Sequence, residues 1–339
     1  MQYNKTELME KCIALGRKPP TCRKDELIML YQGLKKCKKL DIKVEYENKT
    51  DSLEYTAVWA DNSLHYRKHL KIHGWCTIPI SNLNPSDIEE EFYSWLERQN
   101  DEFDRHDSTT YNKIPDNLHG IFKKDVGHTD FVWTVRKGCY SAFSELWKND
   151  DLVCSFDGAC FLSNRRGKPW VHCDASMQNT TYQGFYNIRR CGSKDGGLLL
   201  LENSHLIFDK YLKRHPADFI MGYSPIDFND KYVKRCHPIK ICCNAGELVI
   251  WDGRMLHCNT PTLKDGRLRM CVYVSMQPKE LLTEGEIRKR REWYKKGKMT
   301  GHWCYGPLLK QNSYRTYGPQ KKTVVEIAKA DKLIKKLVG

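Results

Sequence analysis

His172, Cys173 and Asp174 form a His-x-Asp step, and a second histidine, His257, follows 83 residues after Asp174. Two imidazoles and one carboxylate in this order are the ligand set of a 2-His-1-carboxylate facial triad, which holds Fe(II) on one face and leaves the opposite face open. The open face is what such chemistry needs. A metal that must take both a co-substrate and O₂ cannot give four positions to protein ligands. The carboxylate supplies a hard anionic oxygen, the imidazoles supply borderline nitrogens, and three positions remain. On a strand, residues two apart share a face, so His172 and Asp174 can reach one ion while Cys173 points away.

If the co-substrate is 2-oxoglutarate, its far carboxylate calls for a cation deep in the site, and the planar fork of arginine suits a carboxylate. Arg267 and Arg269 lie ten and twelve residues beyond His257, at the start of the next strand. They share a face, so periodicity leaves both open. Asn259 shares the face of His257 and could hydrogen-bond the same carboxylate. Other histidines read differently. His65, His69 and His73 stand at helical spacing and are expected as polar surface positions. His128 and Asp130 form a second His-x-Asp, but no distal histidine in a strand context pairs with them, so they read as fold residues.

These residues need a scaffold. His69 to Ile80 reads as a helix end, a glycine cap at Gly74 and a strand. Asn84-Pro85-Ser86 opens an acidic helix, Asp87 to Gln99. From Ser155 onward the pattern is β. Apolar runs at Leu198–Leu201, Ile239–Cys243, Leu248–Trp251 and Met270–Met276 sit between Gly, Asn and Asp turns. The expected fold is mainly β with flanking helices: a double-stranded β-helix, or jelly-roll barrel, whose mouth can hold a metal between two sheets. A small helical module precedes it. The domains read as 1–40, 55–310 and a basic C-terminal tail, 311–339.

The chain has 339 residues, of which 40% are apolar and 11% aromatic, and this excludes a disordered protein. No run of 18 apolar residues occurs, so no transmembrane helix is expected, and the charged Met1–Leu15 does not read as a signal peptide. The 15 cysteines are odd in number and lack a Cys-x-x-Cys pair, which argues against a disulfide framework and a zinc ribbon. Reduced thiols imply an intracellular protein, with the nucleus or a viral replication compartment favoured over cytosol. The net charge of +14 is uneven: residues 1–40 carry ten Lys/Arg against four Asp/Glu, and 279–339 carry sixteen against six. Two basic ends on a near-neutral middle suggest a polyanion, DNA, gripped by the ends.

Asn4 or Thr6 can cap a first helix, and Thr21 a second, from Lys24 to Leu34. Thr6-Glu7-Leu8 … Leu15-Gly16 … Pro20-Thr21 through Leu27 resembles a SAP motif. That resemblance implies duplex DNA binding by backbone contacts, with Arg17, Lys18, Arg23, Lys24, Lys35 and Lys36 as the cations. A helical hairpin packed on the main domain is the alternative. Gly285–Lys296 reads as a basic helix with aromatics, able to lie along phosphates or to pack on the barrel. Thr323–Leu337 reads as an amphipathic helix with a Lys-rich face.

Over about residues 60–310 the chain resembles the phytanoyl-CoA dioxygenase-like Fe(II)/2-oxoglutarate oxygenases. The resemblance rests on Gly127–Phe131, Asp150–Gly158, Trp170–Asp174, Gln183–Ile188, Asp195–Leu198, Asn203-Ser204-His205, Gly246–Trp251, His257–Thr260, Arg269 … Tyr273–Pro278 and Gly297–Trp303. It implies iron at His172, Asp174 and His257, and it favours Arg269 over Arg267 for 2-oxoglutarate. Gln183 and Asn187 are then expected as co-substrate or substrate contacts, and His205 as a structural turn residue. The chain departs from the pattern at Ala175-Ser176, after the metal aspartate, which bears on the substrate pocket. The implied activity is a dioxygenase using Fe(II), 2-oxoglutarate and O₂ to hydroxylate, or oxidatively demethylate, a substrate associated with nucleic acid or chromatin. The alternatives are a small-molecule hydroxylase and a non-catalytic DNA-binding or virion protein with a vestigial barrel.

Overall fold

A computed structural model describes residues 4–14, 40–45, 52–61, 64–115, 120–162, 170–174, 181–216, 222–263, 265–306, 309–311 and 324–339. In chain order its elements are α1 (Lys5–Ala14), β1 (Leu40–Glu45), β2 (Ser52–Trp59), α2 (Tyr66–His73), β3 (Trp75–Pro79), α3 (Pro85–Gln99), β4 (Ile121–Phe122), α4 (Asp130–Trp147), β5 (Leu152–Cys154), β6 (Ala159–Leu162), β7 (His172–Asp174), β8 (Tyr182–Asn187), β9 (Gly197–Leu201), α5 (Ser204–Leu212), β10 (Tyr223–Pro225), β11 (Pro238–Cys242), β12 (Glu247–Asp252), β13 (His257–Thr260), β14 (Arg269–Tyr273), β15 (Met276–Pro278), α6 (Glu284–Lys295) and α7 (Lys332–Val338).

The strands form a seven-stranded sheet, β1-β2-β11-β9-β13-β7-β10, and a six-stranded sheet, β3-β12-β8-β14-β6-β4. From β6 to β9 and again from β11 to β14, successive strands alternate between the sheets, as in a jelly roll. Strand β9 shows why its residues read as an unbroken apolar run. Leu198 and Leu200 enter the core between the sheets with Phe185 and Trp251. Leu199 and Leu201 point the other way, to Phe208 and Tyr211 of α5. A strand covered on both faces has no polar side to show. The outer face of the six-stranded sheet is covered by α3 and α4 through Phe92, Trp95, Phe131 and Trp133. Because β1 and β2 join the seven-stranded sheet, that sheet begins before residue 55.

The expected caps are present. Asn84 Oδ1 accepts from Ser86 N at the head of α3. Gly74 ends α2 at φ 77° and donates to the Leu70 carbonyl. A Cβ there would lie 2.4 Å from Met255 Sδ, so this turn needs glycine for space as well as for φ. At α1, Asn4 Oδ1 accepts from Glu7 N while Glu7 Oε2 accepts from Asn4 N, which makes Asn4 the cap. The second SAP-like helix, with Arg17, Lys18, Arg23, Lys24, Lys35 and Lys36, lies outside the described residues.

Three expectations are corrected. His69 and His73 are buried, not surface positions. Gly74 folds their stripe of α2 onto the barrel, and His69 Nδ1 lies 2.7 Å from the Trp75 carbonyl oxygen. The run Met270–Met276 is two strands, β14 in the six-stranded sheet and β15 paired with β5. The C-terminal helix covers only Lys332–Val338, because Asp331 caps it through Ile334 N at 2.7 Å. The preceding residues run as an extended strap whose backbone groups bond the core instead. Val324 N donates to Gln99 Oε1, and Ala328 N donates to the His128 carbonyl at 2.7 Å. Helix α6 forms as expected, with a Thr283–Glu286 capping box, and buries Trp293 and Tyr294 on the core. No helix among the described residues is long and apolar enough to cross a membrane.

Candidate metal centre

Strand β7 turns His172 and Asp174 into the barrel and Cys173 toward α5, where its thiol faces the Ser224 carbonyl. Strand β13 runs antiparallel to β7 and sets His257 directly across from His172, with ring centroids 4.4 Å apart. Each imidazole is oriented by a carbonyl two residues earlier in the chain. His172 Nδ1 lies 3.1 Å from the Trp170 oxygen, and His257 Nδ1 lies 2.9 Å from the Met255 oxygen. A carbonyl only accepts, so each Nδ1 carries a proton and each Nε2 is the nitrogen turned toward Asp174. His172 Nε2 is 3.6 Å from Asp174 Oδ1, and His257 Nε2 is 3.7 Å from Asp174 Oδ2. The three ligand atoms lie within 4.8 Å of one another.

The electrostatics suit a cation. Burial, reinforced by His257, lowers the His172 imidazole to about 3, so it is neutral at pH 7. Burial alone would raise Asp174. The neighbouring His302, His257 and His172 and the Gln183 amide outweigh it and hold the carboxyl at about 2. A neutral His172, the ionised Asp174 and the imidazole of His257, all facing one point, form a donor set that fits Fe(II).

Arg269 opens β14 inside the same pocket, 3% exposed, above the Phe185 ring. Its Nη1 donates to Asn259 Oδ1 at 2.8 Å, while its buried Nη2 has no hydrogen-bond partner. A buried guanidinium with an unused donor is costly unless an anion completes it. The vacant side of this fork fits the far carboxylate of 2-oxoglutarate. Arg267 is excluded by its partner. It precedes β14, where strand parity no longer applies, and is half-exposed in a 2.7 Å ion pair with Asp195. Asn187 is also corrected. At the end of β8 it donates to the carbonyls of Arg189 and Asn244 and does not line the pocket. Gln183 does line it, but its amide is engaged with Asp174 Oδ2.

The pocket encloses about 110 Å³. Its wall contains residues that sequence reading did not place there: Trp170, Lys123, Asp157, Tyr273 and His302. Trp170 stacks flat on His172, with centroids 4.2 Å apart and planes 2° apart. Lys123 Nζ pairs with Asp157 Oδ1 at 3.1 Å. His302 Nε2 approaches Asp174 Oδ2 to 3.5 Å. Its only signal in the sequence was membership of the Gly297–Trp303 stretch. His128 and Asp130 are fold residues, as expected. His128 Nε2 lies 2.9 Å from the Lys298 carbonyl oxygen, and Asp130 sits in the first turn of α4. His205 lies in the first turn of α5 beneath Gly74. Ala175 and Ser176 lie outside the described residues.

No known family profile matches the chain. Two curated relatives are similar to it. "Ava biosynthesis cluster protein O" of Aspergillus versicolor is 29% identical over 220 residues, covering 58% of this chain and 71% of the relative. A Dictyostelium discoideum protein named for phytanoyl-CoA dioxygenase is 23% identical over 261 residues, covering 60% and 72%. Among solved structures, the epimerase SnoN, crystallised with Fe³⁺ and α-ketoglutarate, is 13% identical at a TM-score of 0.45, covering 63% of this chain and 82% of its own. GIG2 of Candida albicans is 15% identical at 0.47, covering 66% and 65%. The barrel, the donor set and the half-used Arg269 together form a site with the groups to hold a ferrous ion beside a carboxylate-bearing co-substrate.

Proposed function

We propose that the protein hydroxylates a C–H bond of a small organic substrate, with Fe(II), 2-oxoglutarate and O₂. The observation that carries this reading is the pairing, in one pocket, of the His172–Asp174–His257 donor set with the unused donor of Arg269. When bound, the metal and co-substrate supply an oxidant able to take hydrogen from carbon, with succinate and CO₂ as co-products. The chain supplies the rest. His172, Asp174 and His257 would hold the metal, and Gln183 keeps Asp174 in place. Arg269 and Asn259 would orient the 2-oxoglutarate carboxylate. Phe185, Leu198 and Trp251 line the pocket with apolar surface and exclude water. An N-methyl carbon as target would give demethylation by the same step. A small substrate agrees with the biosynthesis-cluster name of one relative and the phytanoyl-CoA name of the other.

The charge distribution favours a second reading, a substrate presented on DNA. Arg288, Lys289, Arg291, Lys295 and Lys296 are exposed along α6, and the N-terminal forty residues are strongly basic. Release of CO₂ from labelled 2-oxoglutarate separates the readings. On the first, duplex DNA leaves the rate unchanged and a small substrate raises it. On the second, DNA raises it in a salt-sensitive manner. His172→Ala is expected to reduce either rate at least about 1,000-fold, since the open metal face is lost. Turnover that survives this substitution overturns both.

A further inference from the structure

Two nitrogen groups from outside the triad converge on one oxygen of its carboxylate. Gln183 Nε2, from β8, donates to Asp174 Oδ2, and His302 Nε2 approaches the same oxygen to 3.5 Å. That His302 nitrogen is buried and has no hydrogen-bond partner. His302 does not belong to the set whose ligand atoms lie within 4.8 Å of one another. Its own segment is clamped on both sides. Thr300 N donates to the Phe156 carbonyl at 2.9 Å, and Thr300 Oγ1 accepts from Phe156 N at 3.1 Å. Two residues beyond it, Cys304 N donates to Gln277 Oε1 at 3.2 Å, and Met299 and Trp303 are buried. A side chain carried on a segment held at both ends and aimed at an atom of a candidate ligand, outside the ligand set, is arranged as an outer-shell support.

We propose that His302 is a positioning residue: the Gln183 amide bonds Asp174 Oδ2, the otherwise unpartnered His302 Nε2, 3.5 Å from the same oxygen, closes on it when the metal is bound, and Oδ1, the oxygen beside His172, is left for the metal. A carboxylate gripped at one oxygen cannot rock between one- and two-oxygen binding, and this keeps positions on the metal open for the co-substrate. The inference rests on the metal centre proposed above. It concerns a residue that reaches the site from the segment after α6, outside the barrel strands.

Binding of Co(II) to the metal-free protein, followed by its visible absorption, tests this without turnover. His302→Ala is expected to weaken Co(II) binding about 10- to 100-fold, the range for loss of an outer-shell partner, with the band pattern of the bound ion retained. His302→Gln, which keeps a donor, is expected to recover most of the loss, and thermal melting checks that both variants fold. Unchanged affinity in His302→Ala overturns the proposal. So does loss of binding as complete as in His172→Ala, or a changed band pattern, because either would make His302 a ligand. Co(II) affinity that His172→Ala leaves untouched removes the metal centre itself, and this inference with it.

Discussion

Arg269 and Arg290 are buried arginines with opposite surroundings. Arg290, on α6, uses every part of its guanidinium. Nε donates to the Val338 carbonyl, Nη1 to that of Cys304, and Nη2 to those of Cys154 and Leu337. It ties α6, α7 and β5 together, and each of its three nitrogens is bonded. Arg269, inside the barrel, donates to Asn259 alone and leaves Nη2 unused. The protein meets the desolvation of Arg290 with its own backbone and leaves one nitrogen of Arg269 unmet, which the proposed 2-oxoglutarate would fill. Burial does not separate a structural cation from a binding cation. Between these two, the difference lies in the donor that Arg269 leaves unfilled.

The largest effect that could break this contrast is on folding. Arg290→Met strips partners from four buried carbonyls and is expected to cost about 4 kcal/mol in urea unfolding, at 1–3 kcal/mol for each unsatisfied group that cannot relax. Arg269→Met is expected to weaken 2-oxoglutarate binding about 100-fold, or about 2.7 kcal/mol, measured by calorimetry with the metal bound. Its stability should change by less than about 1 kcal/mol, because an incompletely satisfied charge leaves with the side chain. If it destabilises as much as Arg290→Met, Arg269 is structural and the co-substrate assignment falls.

A smaller effect concerns pH. Burial, with Arg136 nearby, lowers His128 to about 3, below the ordinary histidine value of 6.5. The unfolded chain therefore binds this proton first as pH falls. The contribution of neutral His128 is complete above pH 6.5 and is lost progressively toward about 3, with a slope of at most about 1.4 kcal/mol per pH unit. His128→Gln, which keeps a donor for the Lys298 carbonyl, should flatten that part of the stability profile. An unchanged profile would show that His128 accepts protons freely in the folded state. The smallest effect sharpens the arginine pair. Arg267→Ala should alter 2-oxoglutarate affinity less than about twofold and stability by about 1 kcal/mol, since the Arg267 side chain is half-exposed and the buried Asp195 keeps its backbone donors from Gly192 N and residue 267 N. A larger loss of affinity would return Arg267 to the site.

Much of the site was legible because it depends on local direction. Strand parity placed His172 and Asp174 together and sent Cys173 away. The same parity set Asn259 beside His257, where it meets Arg269. The caps at Asn84 and Gly74 and the span of α6 were equally local. Parity failed for Arg267 because that residue precedes the strand. The resemblance placed Asn187 at the site, but β8 ends there and the side chain is taken by the carbonyls of Arg189 and Asn244.

The chain's own periodicities thus determined which side chains leave the backbone together, and with them the shared face of His172 and Asp174 and the strands of the barrel. Only the tertiary structure decided which of those side chains find partners. It buried His69 and His73 under the Gly74 turn and laid the 324–331 segment along the core as a strap. It also filled Arg290 while leaving Arg269 half-used, and it carried His302 from beyond α6 to Asp174. Periodicity describes a residue relative to its neighbours in sequence. A hydrogen-bond deficit is a property of the space around it, and that space is built by residues far away in the chain.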